Sequence, residues 1–213
     1  MDRHLVEVAR AARGFMPDDE GLALHDAGVE AGQLGPLLEI GSYCGKSAVY
    51  LGAAARAAST VLFSVDHHRG SEENQPGWEW HDRQVVDPAT GRIDTLPFFR
   101  RTLEAADLED VVVGVVGYSV PIARAWRTPL GLVFIDGGHA EDVAMADYRS
   151  WAPHLVGGGL LAIHDVFEDP ADGGQAPFHV WQCAVAEGHT PVSTTGSLRV
   201  LCRDLDGTSA PVL

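Results

Sequence analysis

An α/β fold built on one doubly wound, mostly parallel sheet is predicted by two features of the 213-residue sequence. Short apolar runs alternate with helical segments along most of the chain, which is typical of βαβ units and a parallel sheet. The runs are apolar along their whole length, as expected of strands covered by helices on both faces. Because 46% of the residues are hydrophobic and nothing calls for a second unit, we expect a single domain over residues 1–213.

The N-terminal residues, 1–35, predict two helices that cover the sheet. Apolar side chains recur at helical spacing from Leu5 to Ala12, and a turn at Pro17 precedes a second helical run, EGLALHDAGVEAG. The strand candidates that follow are PLLEI, TVLFSVD, VVVGVVG, LGLVFID and GGLLAIHD. After a helix around HVWQCAVAEG, the runs TPVSTT and LRVLCRD flank a Gly-Ser turn, which predicts a C-terminal antiparallel hairpin and a seven-stranded sheet.

One long irregular segment, residues 67–96, is polar but contains Trp78 and Trp80. A loop of this length inside a compact domain is usually functional or disordered. We therefore expect it to act as a lid that binds the substrate, with the tryptophans stacking on the acceptor and His68 and Glu72 forming hydrogen bonds to it. Anchoring of the loop, or a dimer contact, is the alternative role for the tryptophans.

The charge balance and the cysteines limit the partners and the compartment. A formal net charge of −15 argues against nucleic acid, which needs a clustered basic face, and against an anionic membrane surface. The first residues, MDRHLVEVARAARGF, predict neither a signal peptide nor a transmembrane span, because charges interrupt the apolar stretches. Cys44, Cys183 and Cys202 form no CxxC pair, which fits a reducing environment. We expect a cytoplasmic protein, with a homodimer as the commonest default.

The first predicted strand ends in a glycine turn, GSYCGKS, that leads directly into a helix. Such a turn lets a ligand approach the backbone and the amides of the helix N-terminus. Only three residues separate Gly41 from Gly45, one fewer than the phosphate loop GxxxxGK[ST] requires. Tyr43 stands where the dinucleotide pattern GxGxxG requires a glycine. The spacing therefore disfavours both a phosphate loop and a hydride-transfer cofactor.

The pattern ExGxxxG, formed by Glu39, Gly41 and Gly45, resembles the first motif of class I S-adenosylmethionine-dependent methyltransferases. The resemblance extends in order and spacing over residues 36–203 and implies a Rossmann-like fold. It also implies S-adenosylmethionine as the cofactor, with Asp66 binding the ribose hydroxyls, because a carboxylate accepts two hydrogen bonds from a vicinal diol. The cofactor-binding residues that it implies are Glu39, Gly41, Ser42, Gly45, Ser47, Asp66, Tyr118, Ser119 and Asp136.

Two predicted strands end in a carboxylate with a histidine nearby: FIDGGHAE carries Asp136 and His139, and AIHD carries His164 and Asp165. Parallel strands bring their C-terminal ends to one rim, so we expect the two aspartates side by side. Adjacent carboxylates repel each other, and a divalent metal is the simplest relief of that repulsion. Such an ion would hold an acceptor hydroxyl, lower its pKa and orient its oxygen.

The same two motifs resemble those of the metal-dependent macrocin O-methyltransferase group, which acts on sugars and small molecules. The resemblance implies that Asp136 binds the metal and that His139 is the general base. That group carries Glu-Asp after its fifth strand, where this chain has His164 and Asp165. We predict both as metal ligands, with magnesium or manganese as the ion, although imidazole suits manganese better than magnesium. The alternative is that His164 supports the ligands from behind.

The predicted function is therefore O-methylation of a small-molecule hydroxyl, with a sugar or oligosaccharide as the expected acceptor. A metal-dependent hydrolase or hydroxylase using the same aspartates and histidines is the first alternative, and it has no need of Glu39 together with Asp66. A non-catalytic scaffold that binds S-adenosylmethionine is the second alternative. It predicts that neither a metal nor the replacement of His139 has any effect.

Overall fold

The computed structural model describes residues 1–78 and 80–204; Glu79 and the end of the predicted domain, residues 205–213, lie outside the described residues. The strands are β1 (Leu37–Ile40), β2 (Leu62–Asp66), β3 (Val112–Val116), β4 (Leu130–Ile135), β5 (Leu155–Ile163), β6 (His189–Thr195) and β7 (Leu198–Arg203). In the described part of the chain these seven strands form one sheet, in the order β3-β2-β1-β4-β5-β7-β6. Pairing is parallel from β3 to β5, and β7 runs antiparallel to β5 and β6. The predicted Rossmann-like sheet and its C-terminal hairpin are confirmed.

Helices cover both faces of the sheet. They are α1 (Arg3–Ala11), α2 (Asp18–Ala31), α3 (Lys46–Ala57), α4 (Leu96–Ala105), α5 (Ser119–Ala125), α6 (Glu141–Trp151) and α7 (Ala176–Ala186). One hydrophobic core lies between the sheet and α1 to α4 and includes Leu24 and Phe134. The other lies between the sheet and α5 to α7 and includes Trp151. The predicted cover helices are α1 and α2, which pack against α3. Within the two described ranges, every helix is too short or too polar to cross a membrane.

Strand β3 departs from the predicted burial because it forms an edge of the sheet. Val113 and Val116 are 44% and 58% exposed, so helices do not cover both faces of this strand. The expectation of burial on both faces is correct for β1 and β4, whose residues are all buried, and wrong for β3. An apolar run alone does not distinguish a central strand from an edge strand.

The strand order reverses between β1 and β4, and the candidate site lies at this switch point. The two strands pair with Ile40 beside Ile135, so the turns after them leave the same rim. Gly41 in the first turn has φ +92, and a Cβ atom there would overlap the backbone oxygen of Asp136. Because only glycine permits this approach, the glycine turn lies directly against the turn that carries Asp136.

Residues 67–96 are less irregular than the sequence predicts. Two short 3-10 helices and an isolated antiparallel bridge between Val86 and Ile93 interrupt the segment. Val85 and Ile93 are buried in one cluster with Cys44 of the glycine turn. The segment is therefore anchored on the turn after β1 and runs beside the candidate site.

Candidate active site

A cleft of about 1050 Å³ opens along the carboxyl ends of β1 to β4. Its walls are the turns after β1 and β4, the loop after β2, the start of α5 and one side of α6. The cleft therefore lies at the rim that the strand ends predict. The predicted site residues that line it are Gly41, Asp66, Glu72, Trp78, Tyr118, Ser119, Asp136 and His139.

Asp66 at the end of β2 fastens the glycine turn to the neighbouring strand. Its Oδ2 accepts hydrogen bonds from the backbone amides of Ser42 (3.0 Å) and Tyr43 (2.8 Å). Its Oδ1 accepts a bond from the amide of His68 (2.7 Å). A carboxylate offers about four acceptor positions, so roughly one position on Asp66 remains for a ligand. Asp66 can therefore accept about one further hydrogen bond while it holds the turn, whereas the predicted contact with both ribose hydroxyls needs two.

A buried carboxyl group lies beneath the glycine turn and bonds to serine hydroxyls. Ser64 Oγ donates to Glu39 Oε1 (2.5 Å), and the hydroxyl oxygens of Ser64 and Ser42 are 2.6 Å apart. Burial raises the pKa of Glu39 to about 8, so its carboxyl group is neutral near pH 7. The side chains of Glu39, Ser42 and Ser47, all predicted to bind the cofactor, are buried and do not line the cleft, so their contacts with it stay a prediction. Gly45, with φ +91, ends the turn outside the lining of the cleft.

This buried carboxyl group predicts a pH dependence of stability. The pKa of Glu39 lies above its usual value of 4.5, so its contribution is fully present below pH 4.5 and is lost as the pH rises through about 8. Between about pH 5 and about pH 8, the unfolding free energy of the wild type should fall by on the order of 3 kcal/mol more than that of Glu39→Gln, which carries a neutral isostere. Urea unfolding of both proteins at the two pH values measures the effect. An equal fall in wild type and variant would contradict it.

Two carboxylates and an imidazole converge at the rim. Ligand atoms of Asp136, His139 and Asp165 lie within 4.8 Å of one another. Carboxylates hold the His139 ring on both sides, with Nδ1 3.1 Å from Glu73 Oε2 and Nε2 3.3 Å from Asp165 Oδ2. The hydrogen bond and charge of Asp165, with the charge of Glu73, outweigh burial and raise the pKa of His139 to about 9. The two strand ends therefore meet as predicted.

His164 lies outside the group formed by Asp136, His139 and Asp165, but it contacts both of the aspartates. Its side chain is 3% exposed, and its Nε2 lies 2.5 Å from Glu20 Oε2. Its Nδ1 lies 3.2 Å from Asp136 Oδ1 and 3.3 Å from Asp165 Oδ2. Burial would lower the pKa of His164, but the charges and hydrogen bonds of Asp136, Asp165 and Glu20 raise it to about 12. Both ring nitrogens face carboxylates, so the geometry favours the alternative in which His164 supports Asp136 and Asp165, and its role as a ligand stays a prediction.

The donor atoms fit a divalent cation. Burial would raise the pKa of Asp165, but hydrogen bonds from His139 and His164 outweigh burial and lower it, so Asp165 is ionised. Burial raises the pKa of Asp136, and a nearby cation would favour its ionised form. Carboxylate oxygens alone suit Mg²⁺, and a set that includes an imidazole suits Mn²⁺.

The loop after β2 brings fewer side chains to the cleft than predicted. Trp78 lines the cleft, whereas Trp80 packs edge-on against Phe15, with 5.3 Å between ring centroids, and lines a separate concavity. His68 is 2% exposed, and its Nδ1 lies 2.8 Å from Thr95 Oγ1. Neither Trp80 nor His68 lines the cleft, because one ring packs outside it and the other is buried, so their acceptor contacts stay a prediction.

Three acidic residues near the site were not predicted from the sequence: Glu20, Glu73 and Asp147. Asp147 is buried but lines the cleft, and burial raises its pKa to about 6. Glu20 carries a recognisable signal, because it shares the apolar face of α2 with Leu24 at helical spacing. Glu73 lies in a 3-10 helix of three residues, which is too short for a periodic pattern to indicate the direction of a side chain.

The sheet order, the glycine turn and the cleft at the switch point define a class I S-adenosylmethionine-dependent methyltransferase. Residues 38–166, more than half of the chain, match the family Methyltransf_24, described as a methyltransferase domain. The chain belongs to this family, and the resemblance seen in the glycine turn is confirmed.

Several solved structures share the fold. The O-methyltransferase TomG from Streptomyces achromogenes, in complex with S-adenosylmethionine, is 18% identical, with a TM-score of 0.63 over 95% of this chain and 91% of TomG. The O-methyltransferase NovP is 16% identical, with a TM-score of 0.67 over 94% of this chain and 96% of NovP. An O-methyltransferase from Bacillus cereus, in complex with S-adenosylhomocysteine, is 18% identical, with a TM-score of 0.63 over 95% of this chain and 92% of that chain. At these identities the likeness shows a common fold.

Proposed function

We propose that the protein is an S-adenosylmethionine-dependent O-methyltransferase that uses Mg²⁺ or Mn²⁺ and methylates a hydroxyl of a small molecule. The observation that carries this proposal is the convergence of Asp136, His139 and Asp165 within 4.8 Å, against the glycine turn. The names of TomG, NovP and the Bacillus cereus protein, all O-methyltransferases, support oxygen as the acceptor atom. A sugar or oligosaccharide is the proposed acceptor, because Trp78 and Glu72 line the cleft as a ring platform and a hydrogen-bonding group.

The cleft offers the groups that a methyl donor needs. S-adenosylmethionine supplies a methyl group on a positively charged sulfonium, and the thioether leaves when an oxygen displaces it. Asp66 keeps an acceptor position for a ribose hydroxyl, and Gly41 exposes backbone beside it. Tyr118 and Ser119 lie at the start of α5, on the wall where the adenine is expected.

His139 is the proposed acceptor of the hydroxyl proton. Glu73 at Nδ1 orients the ring so that Nε2 faces Asp165, and it stabilises the imidazolium that forms. With a pKa of about 9, the ring is protonated at neutral pH when no cation is bound. Asp136 and Asp165 would hold the cation, whose charge favours neutral His139 and lowers the pKa of the acceptor hydroxyl.

Replacing His139 tests whether this residue acts as a general base or as a ligand of the cation. We expect His139→Ala to lower kcat by about 10²- to 10³-fold while Mn²⁺ affinity stays within about threefold, because both carboxylates remain. Steady-state kinetics and a Mn²⁺ titration followed by electron paramagnetic resonance measure the two effects. A loss of Mn²⁺ affinity of about tenfold or more would instead make His139 a ligand.

Transfer of label from methyl-labelled S-adenosylmethionine tests the proposed function, with sugars, phenols and amines offered as acceptors. We expect label on a hydroxyl compound, loss of transfer with EDTA, and recovery on addition of Mn²⁺ or Mg²⁺. Transfer that EDTA does not affect would contradict the role of the cation, and transfer to amines alone would contradict O-methylation. The hydrolase alternative predicts no transfer, and the family match disfavours it.

We also propose that the protein is a homodimer in the cytoplasm. The exposed apolar edge of β3, with Val113 and Val116, supports self-association, because an unpaired strand edge favours pairing with another chain. Sedimentation of the purified protein tests the dimer, and fractionation of cells tests the compartment.

A further inference from the structure

A buried glutamate of the N-terminal cover helices reaches the rim of the sheet. The side chain of Glu20, on α2, is 5% exposed. Its Oε2 lies 2.5 Å from His164 Nε2, and its Oε1 accepts a hydrogen bond from the amide of Ser197 (2.6 Å). One carboxylate therefore joins α2 to the end of β5 and to the β6-β7 turn.

The imidazole bonded to Glu20 connects it to both aspartates of the candidate cation site. His164 Nδ1 faces Asp136 Oδ1 at 3.2 Å and Asp165 Oδ2 at 3.3 Å. Because Nε2 is engaged by Glu20, the opposite nitrogen must point at the aspartates, and the ring cannot turn over without breaking these contacts. The contacts run from α2 through one buried ring to the ends of β4 and β5.

The turn between β6 and β7 packs against Glu20 and against the segment after Asp165. Gly196 has φ +52, and a Cβ atom there would overlap the carboxylate of Glu20. The next residue, Ser197, accepts a hydrogen bond through its backbone oxygen from the amide of Val166 (3.0 Å), directly after Asp165. The turn therefore confines Glu20 and also holds the chain segment that carries one of the aspartates.

We propose that Glu20 is a positioning residue for the cation site: it fixes the ring of His164, and that ring fixes the carboxylates of Asp136 and Asp165. This inference rests on the cation site of the proposed function. Groups that orient metal ligands in this way typically change metal affinity by about 10- to 100-fold when they are removed. Glu20 itself has no contact with the acceptor or the donor in this role.

A substitution in the hairpin turn tests the proposal without touching the site. Gly196→Ala places a methyl group against Glu20, whereas Gly188→Ala, just before the same hairpin, has φ +95 and meets no described atom within 4 Å. Both glycines have positive φ, and φ +95 of Gly188 lies further from the left-handed region that alanine tolerates, so backbone strain alone would not make Gly196→Ala the more damaging variant. We expect Mn²⁺ affinity, followed by electron paramagnetic resonance, to fall by at least about tenfold in Gly196→Ala and to stay at the wild-type value in Gly188→Ala.

Direct replacement of Glu20 is the second test of the positioning role. We expect Glu20→Ala to lower Mn²⁺ affinity by at least about tenfold. Glu20→Gln should recover part of that loss, because its single amide oxygen can accept from His164 Nε2 or from the Ser197 amide but not from both. The matched control is Asp26→Ala, which removes a carboxylate on the same helix that pairs with His25 at the surface (2.9 Å). That control should bind Mn²⁺ like the wild type.

The outcomes separate this inference from the proposed function. Wild-type Mn²⁺ affinity in folded Gly196→Ala, or in folded Glu20→Ala, would overturn the positioning role and leave the cation site intact. If Glu20→Ala does not fold, Gly196→Ala against Gly188→Ala decides alone. An absence of Mn²⁺ binding by the wild-type protein would overturn the cation site itself, and the positioning role with it.

Discussion

Replacing Asp136 with alanine is expected to lower the rate of methyl transfer by about 10³-fold, equivalent to about 4 kcal/mol of transition-state stabilisation. The aspartate is one of the two carboxylates that converge with His139, so its loss removes a cation ligand. The same change removes a partner of the buried His164 Nδ1, which leaves positive charge less well compensated inside the protein. Both effects act on the site where the acceptor hydroxyl is proposed to lose its proton.

Asp142→Ala is the matched control for this prediction. Asp142 also lines the cleft, but its carboxylate bonds only to the adjacent amide of Val143 among the contacts described and lies outside the converging group. We expect its kcat/KM to stay within about threefold of the wild type. Methyl transfer at saturating Mn²⁺ measures both variants, and similar losses in the two would show that a general loss of negative charge, rather than a cation ligand, explains the effect.

Gly41→Ala is expected to abolish measurable binding of the donor, with a loss of affinity of at least about 100-fold. The added methyl group would overlap the backbone of Asp136 in a residue whose φ is +92, so the glycine turn must move away from the turn after β4. That movement would also break the two hydrogen bonds that the backbone amides of the glycine turn donate to Asp66. The cleft would therefore lose the shape of the glycine turn and the position of Asp66 together.

Gly91→Ala separates local collision from general strain. Gly91 has φ +67 in the loop after β2, but no described atom lies within 4 Å of an added Cβ. Titration with S-adenosylhomocysteine should show wild-type affinity for this variant. If Gly41→Ala bound the ligand as well as Gly91→Ala does, the close approach of the two turns would not be needed for binding.

The fold was predictable where side-chain periodicity decides the structure. The run KSAVYLGAAARA after the glycine turn is α3, from Lys46 to Ala57, and the Gly-Ser turn separates β6 from β7 as predicted. The buried strands β1 and β4 were equally clear, because continuous apolar runs are typical of strands inside a parallel sheet. The exposure of β3 was not predictable, since strand order is a property of the whole sheet.

The site was predictable only as far as strand ends determine it. Asp136 and Asp165 were expected together because adjacent parallel strands end at one rim, and they converge. The contact of His164 with Glu20 was not predictable, because Glu20 lies 144 residues earlier in the sequence and neighbouring residues near a strand end point in different directions. His68 has φ +57 and a buried ring, and no local pattern in the sequence indicates either feature.

One calorimetric measurement tests the central proposal most directly: S-adenosylhomocysteine and Mn²⁺ titrated separately into wild type, Asp66→Ala and Asp136→Ala. We expect wild type to bind both ligands, Asp66→Ala to lose S-adenosylhomocysteine and keep Mn²⁺, and Asp136→Ala to lose Mn²⁺ and keep S-adenosylhomocysteine. This crossed pattern would establish a donor site and a cation site in one cleft. Binding of neither ligand by the wild type, or loss of both ligands in each folded variant, would contradict the assignment of two separate sites for methyl transfer.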